Sequence, residues 1–494
     1  MKYLQTIFQF IGDMTWGWSL IPFLIVLGAF FTLASGFVQF RFFGRMFRML
    51  FPGQSLPAEG HVSSREALLI SVGGRVGGGN IAGVAVAITL GGPGAVFWMW
   101  VVALVGMATS FFECTLAQLY KRAEGDGTYR GGPAQYILHG LGPQYKWLAT
   151  AYAISLIAVF ALGFNAFQGN TVAAAAQDSL GLSRIWTGIG LAILTGFVVY
   201  GGIKRIAQAA DVVVPIMAAG YIGMALVVIA LNITHVPAMM VTIVKNAFGF
   251  EAVVSGGVGA AIANGVRRGL FSNEAGLGSA PNVAAVAYAR HPVSQGIVQS
   301  LSVFIDTVVI CSCTAFVILL GNVYVPGVEG VDGVALTQQS LSSHVGAWSQ
   351  YFLTGATLLF AFSSIIYNYY LGENALTVFT ERTEPRHALR ILIIGVIFVG
   401  SSAPKATEVF FFSDPVMGIL ALINLLAMTM LFPIGMRVLK DYKDQLKQGK
   451  EHPVFEPAKF ADLDIDLDAW KFDPTPAPAP EKAADEGREV VNRT

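Results

Sequence analysis

Two stretches carry residue types that do not belong in ordinary apolar helices. The first is Ser71-Val72-Gly73-Gly74-Arg75-Val76-Gly77-Gly78-Gly79-Asn80-Ile81-Ala82-Gly83, with five glycines in seven positions. The second is Asn264-Gly265-Val266-Arg267-Arg268-Gly269-Leu270-Phe271-Ser272-Asn273-Glu274-Ala275-Gly276-Leu277-Gly278-Ser279. Glycine in a helix interior costs about 1 kcal/mol relative to alanine, so both stretches are expected to unwind. Unwound backbone offers bare N–H groups to an anion and bare C=O groups to a cation. At the start of a helix the amides of Gly78, Gly79 and Asn80 would suit a carboxylate, with the missing side chains of Gly77 to Gly79 permitting close approach. Carbonyls around Leu270 to Asn273 would suit an ammonium. The spacing Gly77, Gly79, Gly83 only grazes a dinucleotide fingerprint, because no strand precedes it.

The surroundings of these stretches are lipid-soluble. Of 494 residues only 13% are charged, against about 25% in soluble domains, while 54% are hydrophobic and mean hydropathy is +0.61. Such a chain cannot clothe a soluble enzyme or a disordered scaffold. With 31 basic and 31 acidic residues and a pI of 7.1, it has no field to attract nucleic acid. Eleven candidate spans are expected, at 17–40, 66–90, 94–119, 147–174, 185–203, 211–231, 253–289, 296–320, 350–372, 388–402 and 415–436. Lys and Arg crowd alternate connections, from Arg41, Arg45 and Arg48 through Lys121 and Arg122 to Arg437 and Lys450, and nearly avoid the others. That bias predicts a plasma (cell inner) membrane protein with its N-terminus outside and its C-terminus cytoplasmic. The absence of a small-residue cleavage site near Met1–Met14 favours a retained first helix.

Both unusual stretches fall in matching places. Set the first span aside and ten remain, each glycine-rich break opening a set of five, at about 66–231 and 253–436, with an offset of about 190 to 205 residues. An odd number per set inverts the second relative to the first. Hence the fold class expected is an all-α polytopic membrane protein, one extra N-terminal helix plus a 5+5 inverted repeat with two discontinuous helices, the arrangement of secondary transporters. Residues 1–451 form the transmembrane domain, and 452–494, rich in Pro, Ala and Asp, read as a disordered cytoplasmic tail.

Gly77-Gly78-Gly79-Asn80-Ile81-Ala82-Gly83-Val84-Ala85, Gly91-Gly92-Pro93-Gly94-Ala95-Val96-Phe97-Trp98-Met99-Trp100, Gly106-Met107-Ala108-Thr109 and Arg268 through Pro281 resemble the alanine or glycine:cation symporter family over roughly residues 15 to 440. The resemblance implies a LeuT-like fold, eleven spans and uptake of a small neutral amino acid driven by Na+ or H+, with no further cofactor and no obligate protein partner. It implies a substrate pocket of Gly77, Gly78, Gly79, Asn80, Gln168, Phe271, Asn273 and Asn368. For Na+ it implies the hydroxyls of Ser363 and Ser364 with the carbonyls of Gly73, Val76 and Phe360, a hard-oxygen shell suited to a hard cation. The family usually has Thr where Gly78 stands, so the carboxylate here would lean on backbone. Members with the smallest substrates often carry Trp where Asn368 stands, so glutamine or another larger polar amino acid competes with alanine and glycine.

Four ionisable groups inside spans stay outside that list. Arg75 would meet either the substrate carboxylate or a cytoplasmic-side acid. Asp306, Glu113 and Glu274 would either serve transport or brace helices by pairing with Arg267 or Arg268. Cys114, Cys311 and Cys313 lack zinc spacing and read as packing residues. A channel would need repeated filter segments or charged rings, and an enzyme a nucleophile beside a base; the sequence has neither pattern.

Overall fold

In the computed structural model, residues 10–50, 61–125, 127–199, 202–250, 257–326 and 333–471 are described, with side chains omitted at 18, 202–214 and 407. Helix α1 (Phe10–Ala34) stands first. The first five-helix set follows as α2 (Ser64–Arg75) with α3 (Gly79–Gly91), α4 (Gly94–Leu119), α5 (Pro143–Leu180), α6 (Arg184–Val199) and α7 (Gly202–Leu231). A short helix α8 (Val236–Ala247) folds back at 104° to the end of α7. The second set is α9 (Gly257–Asn273) with α10 (Ser279–Ala284), α11 (Pro292–Leu319), α13 (Trp348–Leu376), α14 (Thr383–Ser402) and α15 (Ala406–Lys447). Helix α12 (Gly333–Val345) caps the α11–α13 connection.

Among the described residues seven helices are long and apolar enough to cross a membrane, or nine with each bent pair counted as one span. The expectation of eleven is not reached on length and composition, since α6 has only 16 residues and α9 carries Arg267, Arg268 and Asn264. The spans expected at 147–174, 296–320 and 350–372 become Pro143–Leu180, Pro292–Leu319 and Trp348–Leu376, each longer by a few residues or more.

Local chemistry explains why the first break falls where it does. A capping box starts α2: Ser63 Oγ accepts from the Glu66 amide at 3.1 Å while Glu66 Oε2 accepts from the Ser63 amide at 2.7 Å, together stabilising the terminus by about 1 kcal/mol. The helix ends at Val76, whose backbone turns extended (φ −72°, ψ 92°), and α3 leaves at 52°. Asn80 then closes the corner by accepting the Gly77 amide on its side-chain oxygen at 2.8 Å.

The second break differs from expectation. Residues 264–273 remain helical, and the chain unwinds only across Glu274–Gly278, where Glu274, Gly276 and Gly278 take φ of +55°, +93° and +81°. Two amides that would prolong α9 are diverted: Ala275 N–H donates to Asn273 Oδ1 at 3.0 Å and Gly276 N–H to Glu113 Oε1 at 3.3 Å. The carbonyls of Phe271 and Ser272 thereby lose their helical partners. Leu270, expected to be unwound, still accepts the Glu274 amide at 2.9 Å. A left-handed glutamate is strained by about 1–3 kcal/mol, here held by Ser279 Oγ on its carboxylate at 2.6 Å.

The tail also departs from expectation between 452 and 471. Phe455, Phe460 and Trp470 are buried against the end of the bundle, because three dispersed aromatics find a shared surface at His291, Arg437 and Leu119. Acidic side chains pin the strap: Asp466 accepts the Ala123 amide at 2.8 Å, Asp464 meets Arg122 at 3.1 Å and Asp462 meets Arg437 at 2.6 Å. A two-stranded hairpin, β1 (Arg122–Ala123) with β2 (Tyr129–Arg130), lies beneath it. Residues 472–494 lie outside the described residues.

Lys121 is enclosed by this layer, its ammonium 4.1 Å from the Tyr129 ring centre and 4.5 Å from that of Trp470. Burial pushes it down from 10.5 to about 7. Between those values the unfolded chain holds the proton and the folded one does not, so stability rises with pH across the interval. Lys121→Met is expected to remove that rise. The check is the pH dependence of the melting temperature of both proteins in detergent from pH 7 to 10; equal slopes would refute it.

Candidate functional site

The two breaks face each other across the bundle. Asn80, at the start of α3, donates through Nδ2 to Ser272 Oγ at 3.1 Å on α9 and to Asp306 Oδ1 at 2.7 Å on α11. Ser272 and Thr307 hydroxyls also donate to Asp306 Oδ2, each at 2.7 Å. Asp306 therefore pairs with neither Arg267 nor Arg268; amide and hydroxyls satisfy it. Cys311 joins this polar cluster, 3.3 Å from Asn80 Nδ2 and 3.1 Å from Ser272 Oγ, so it does more than fill space.

Of the backbone amides expected to be free, two are taken. Gly78 N–H donates to Gln168 Oε1 at 2.9 Å, and Asn80 N–H to the Gly77 carbonyl at 3.1 Å. The Gln168 carboxamide thus sits where an anionic oxygen would. Gly79 opens α3 against Phe271: a Cβ there would lie 3.1 Å from the ring. Thr171 flanks Gly78, its hydroxyl 2.9 Å from where a Cβ would be. Phe271 is packed among Phe164, Phe167 and Phe410, tilted to the first and edge-to-face with the other two, with centroids 4.3, 5.0 and 5.0 Å away. Asn273 turns its oxygen to the Ala275 amide, leaving Nδ2 buried without a partner. Asn368 lies one turn beyond Ser364 on α13, is 1% exposed, donates to Asn165 Oδ1 at 3.1 Å and keeps its own Oδ1 unpartnered.

The hydroxyl pair on α13 meets the end of α2. Ser363 Oγ donates to the Gly73 carbonyl at 2.7 Å and the Phe360 carbonyl at 2.9 Å; Ser364 Oγ donates to the Gly74 carbonyl at 2.7 Å and the Phe360 carbonyl at 3.1 Å. The back-bond to Phe360 common for helical serine coexists with contacts that cross to α2. Five oxygens of the kind a monovalent cation prefers converge here, beside the extended Val76.

Arg75 is 3% exposed and forms no ion pair among the described residues. It donates to Ser302 Oγ and to Ser110 Oγ, the latter at 3.5 Å, with its charge facing Glu113, Glu274 and Asp306. Among the described residues it makes no cytoplasmic-side salt bridge, which is one of the two expected readings. Glu113 instead binds Gly276 N–H and, at 3.1 Å, Asn424 Nδ2, tying α4 and α15 to the second break. On the other side of Phe271, Arg268 forms an ion pair with Asp414 and lies 3.8 Å over the Phe410 ring.

The model of the Sodium:alanine symporter family matches residues 1–457. The chain belongs to that family. It is 46% identical to the amino-acid carrier protein AlsT of Bacillus subtilis (strain 168), over 94% of this chain and 97% of the relative. It is 43% identical to the probable sodium/glutamine symporter GlnT of the same organism, over 92% and 94%. Among solved structures, MhsT in complex with L-phenylalanine superposes with a TM-score of 0.52 at 13% identity, covering 78% of this chain and 99% of that one. That likeness carries the LeuT-like fold alone. This family member is a multi-pass membrane transporter, not an enzyme.

Sequence reasoning missed Gly74, whose carbonyl holds Ser364, and Asn165, which holds Asn368. The signal for Asn165 was present: two asparagines and a glutamine, Asn165, Gln168 and Asn170, share one membrane helix. Nothing in the local sequence announces Gly74.

Proposed function

We propose that this family member is a secondary active symporter of the plasma membrane that couples entry of Na+, with H+ as the alternative ion, to uptake of a small neutral amino acid such as alanine or glycine. The observation that carries the reading is the meeting of α2 carbonyls with the α13 hydroxyl pair directly beside the Gly77–Asn80 corner. Membership of the Sodium:alanine symporter family and the name of AlsT as an amino-acid carrier support it, while the name of GlnT points to the glutamine alternative.

In this reading the substrate carboxylate displaces Gln168 Oε1 from the Gly78 amide and rests at the start of α3, where the helix dipole favours an anion. Its ammonium takes the freed carbonyls of Phe271 and Ser272 at the end of α9, where the dipole favours a cation. Phe271 walls the side chain, and Asn273 and Asn368 supply the unpartnered amide atoms. The ion binds Ser363, Ser364 and the carbonyls of Gly73, Val76 and Phe360, joined by Gly74. Holding α2 to α13 fixes the corner that receives the carboxylate, so each ligand raises the other's affinity. One charge crossing the membrane contributes about 2.3 kcal/mol per 100 mV, or roughly fifty-fold accumulation. The Lys and Arg bias supports an orientation with the N-terminus outside and the C-terminus in the cytoplasm.

An alternative substrate is glutamine, favoured by the free Asn368 Oδ1. Labelled alanine and glutamine offered to proteoliposomes decide the matter. An inward Na+ gradient is expected to drive accumulation of at least one. Uptake indifferent to both Na+ and a pH gradient would refute the coupling.

A further inference from the structure

Helix α1 belongs to neither five-helix set, yet its first turns touch the layer that closes the site. Trp16 is fully buried and its indole N–H donates to the Asp414 carbonyl at 2.8 Å. The Arg267 guanidinium lies 5.2 Å from the indole centre. Gly418 on α15 makes this approach possible, since a Cβ there would sit 2.9 Å from Thr15 Oγ1 and 3.2 Å from Trp16 Nε1. Beside these contacts a cavity of about 420 Å³ runs inward between α1, α3, α9 and α15, reaching Val86, Arg268 and Phe410.

Passage from that cavity to Phe271 requires the Arg268–Asp414–Phe410 layer to part. The ion pair is made through one carboxylate oxygen only. Arg268 Nη1 and Asp414 Oδ1 are buried and have no partner, so the rigid two-bond fork of Arg–carboxylate pairing is not formed. Arg267 Nη1 adds only a long contact, 3.9 Å, to the same carboxylate oxygen, and the Trp16 indole, which also lies against Arg267, binds the Asp414 backbone directly at 2.8 Å.

We infer that Trp16 is a positioning residue of the outer gate: its N–H latches the start of α15 so that Asp414 stays on Arg268, and breaking that bond is part of opening the cavity to the binding site. The symport reading enters only through the transport readout and the assignment of this face as outer.

The test places a reporter at Val86→Cys, a cavity-lining position that is 2% exposed. The three native cysteines are buried, so the parent chain is the blank for a membrane-impermeant maleimide. Trp16→Phe keeps the ring over Arg267 and removes the N–H. It is expected to raise the labelling rate roughly threefold to tenfold, the range for one lost buried hydrogen bond. It should also lower KM and Vmax together, as a larger open population removes the cost of opening while slowing the return. Gly418→Ala, which pushes the latch away with Trp16 intact, should act in the same direction. A tryptophan that merely packs would lower Vmax with KM and labelling unchanged. Parent-like labelling and KM in both variants overturn the inference. Absent ion-driven uptake by the parent would instead overturn the symport reading, leaving the labelling comparison to decide the latch.

Discussion

Ser364→Ala is expected to raise the Na+ concentration for half-maximal uptake by about tenfold to a hundredfold, with the amino-acid KM at saturating Na+ changing far less. Ser364 Oγ bridges the Gly74 and Phe360 carbonyls, at 2.7 and 3.1 Å. Its loss would remove a hydroxyl from the proposed oxygen shell, worth about 1.5–3 kcal/mol for a bond to a charged group. It also frees the last turn of α2. Ser363 cannot substitute, because it is committed to Gly73 one residue earlier. Uptake measured against Na+ at fixed substrate checks this, and an unchanged Na+ curve would remove Ser364 from the ion site. Ser364→Thr, which keeps the hydroxyl, should retain most of the affinity.

The second large effect concerns substrate choice. Asn368→Trp should abolish competition by glutamine, by about a hundredfold or more, while glycine and alanine remain substrates. The amide at 368 now offers an unpartnered oxygen in a buried place beside Asn165. An indole would fill that space and, with no acceptor, leave a polar side chain unpaired, a penalty that can reach several kcal/mol when desolvated. A panel of unlabelled amino acids competing with labelled alanine measures it. An unaltered profile would exclude Asn368 from the pocket.

The first break was legible because glycine composition alone makes continued helix costly there, and the corner at Val76–Gly78 lies inside the expected 71–83. The second was legible only to within a turn. Its position is set by Glu113, more than 160 residues away in the chain, whose carboxylate captures the Gly276 amide; no local pattern reports that. The charges were read less well. Asp306 and Arg268 both belong to networks, but each with its partner, Asn80 or Asp414, on a helix far away in the chain. The tail was misjudged between 452 and 471 because Phe455, Phe460 and Trp470 are isolated among prolines and acids, and isolated aromatics give no periodicity. Helix α8 escaped notice because its 12 residues are too few for a span.

The strap over Lys121 has a consequence for biogenesis. Trp470 and Phe455 leave the ribosome after helices α1 to α15 have been made, so this lid closes only after the helices it covers. A nascent chain halted before Phe455 would leave Lys121 uncovered and the surface at His291, Arg437 and Leu119 bare.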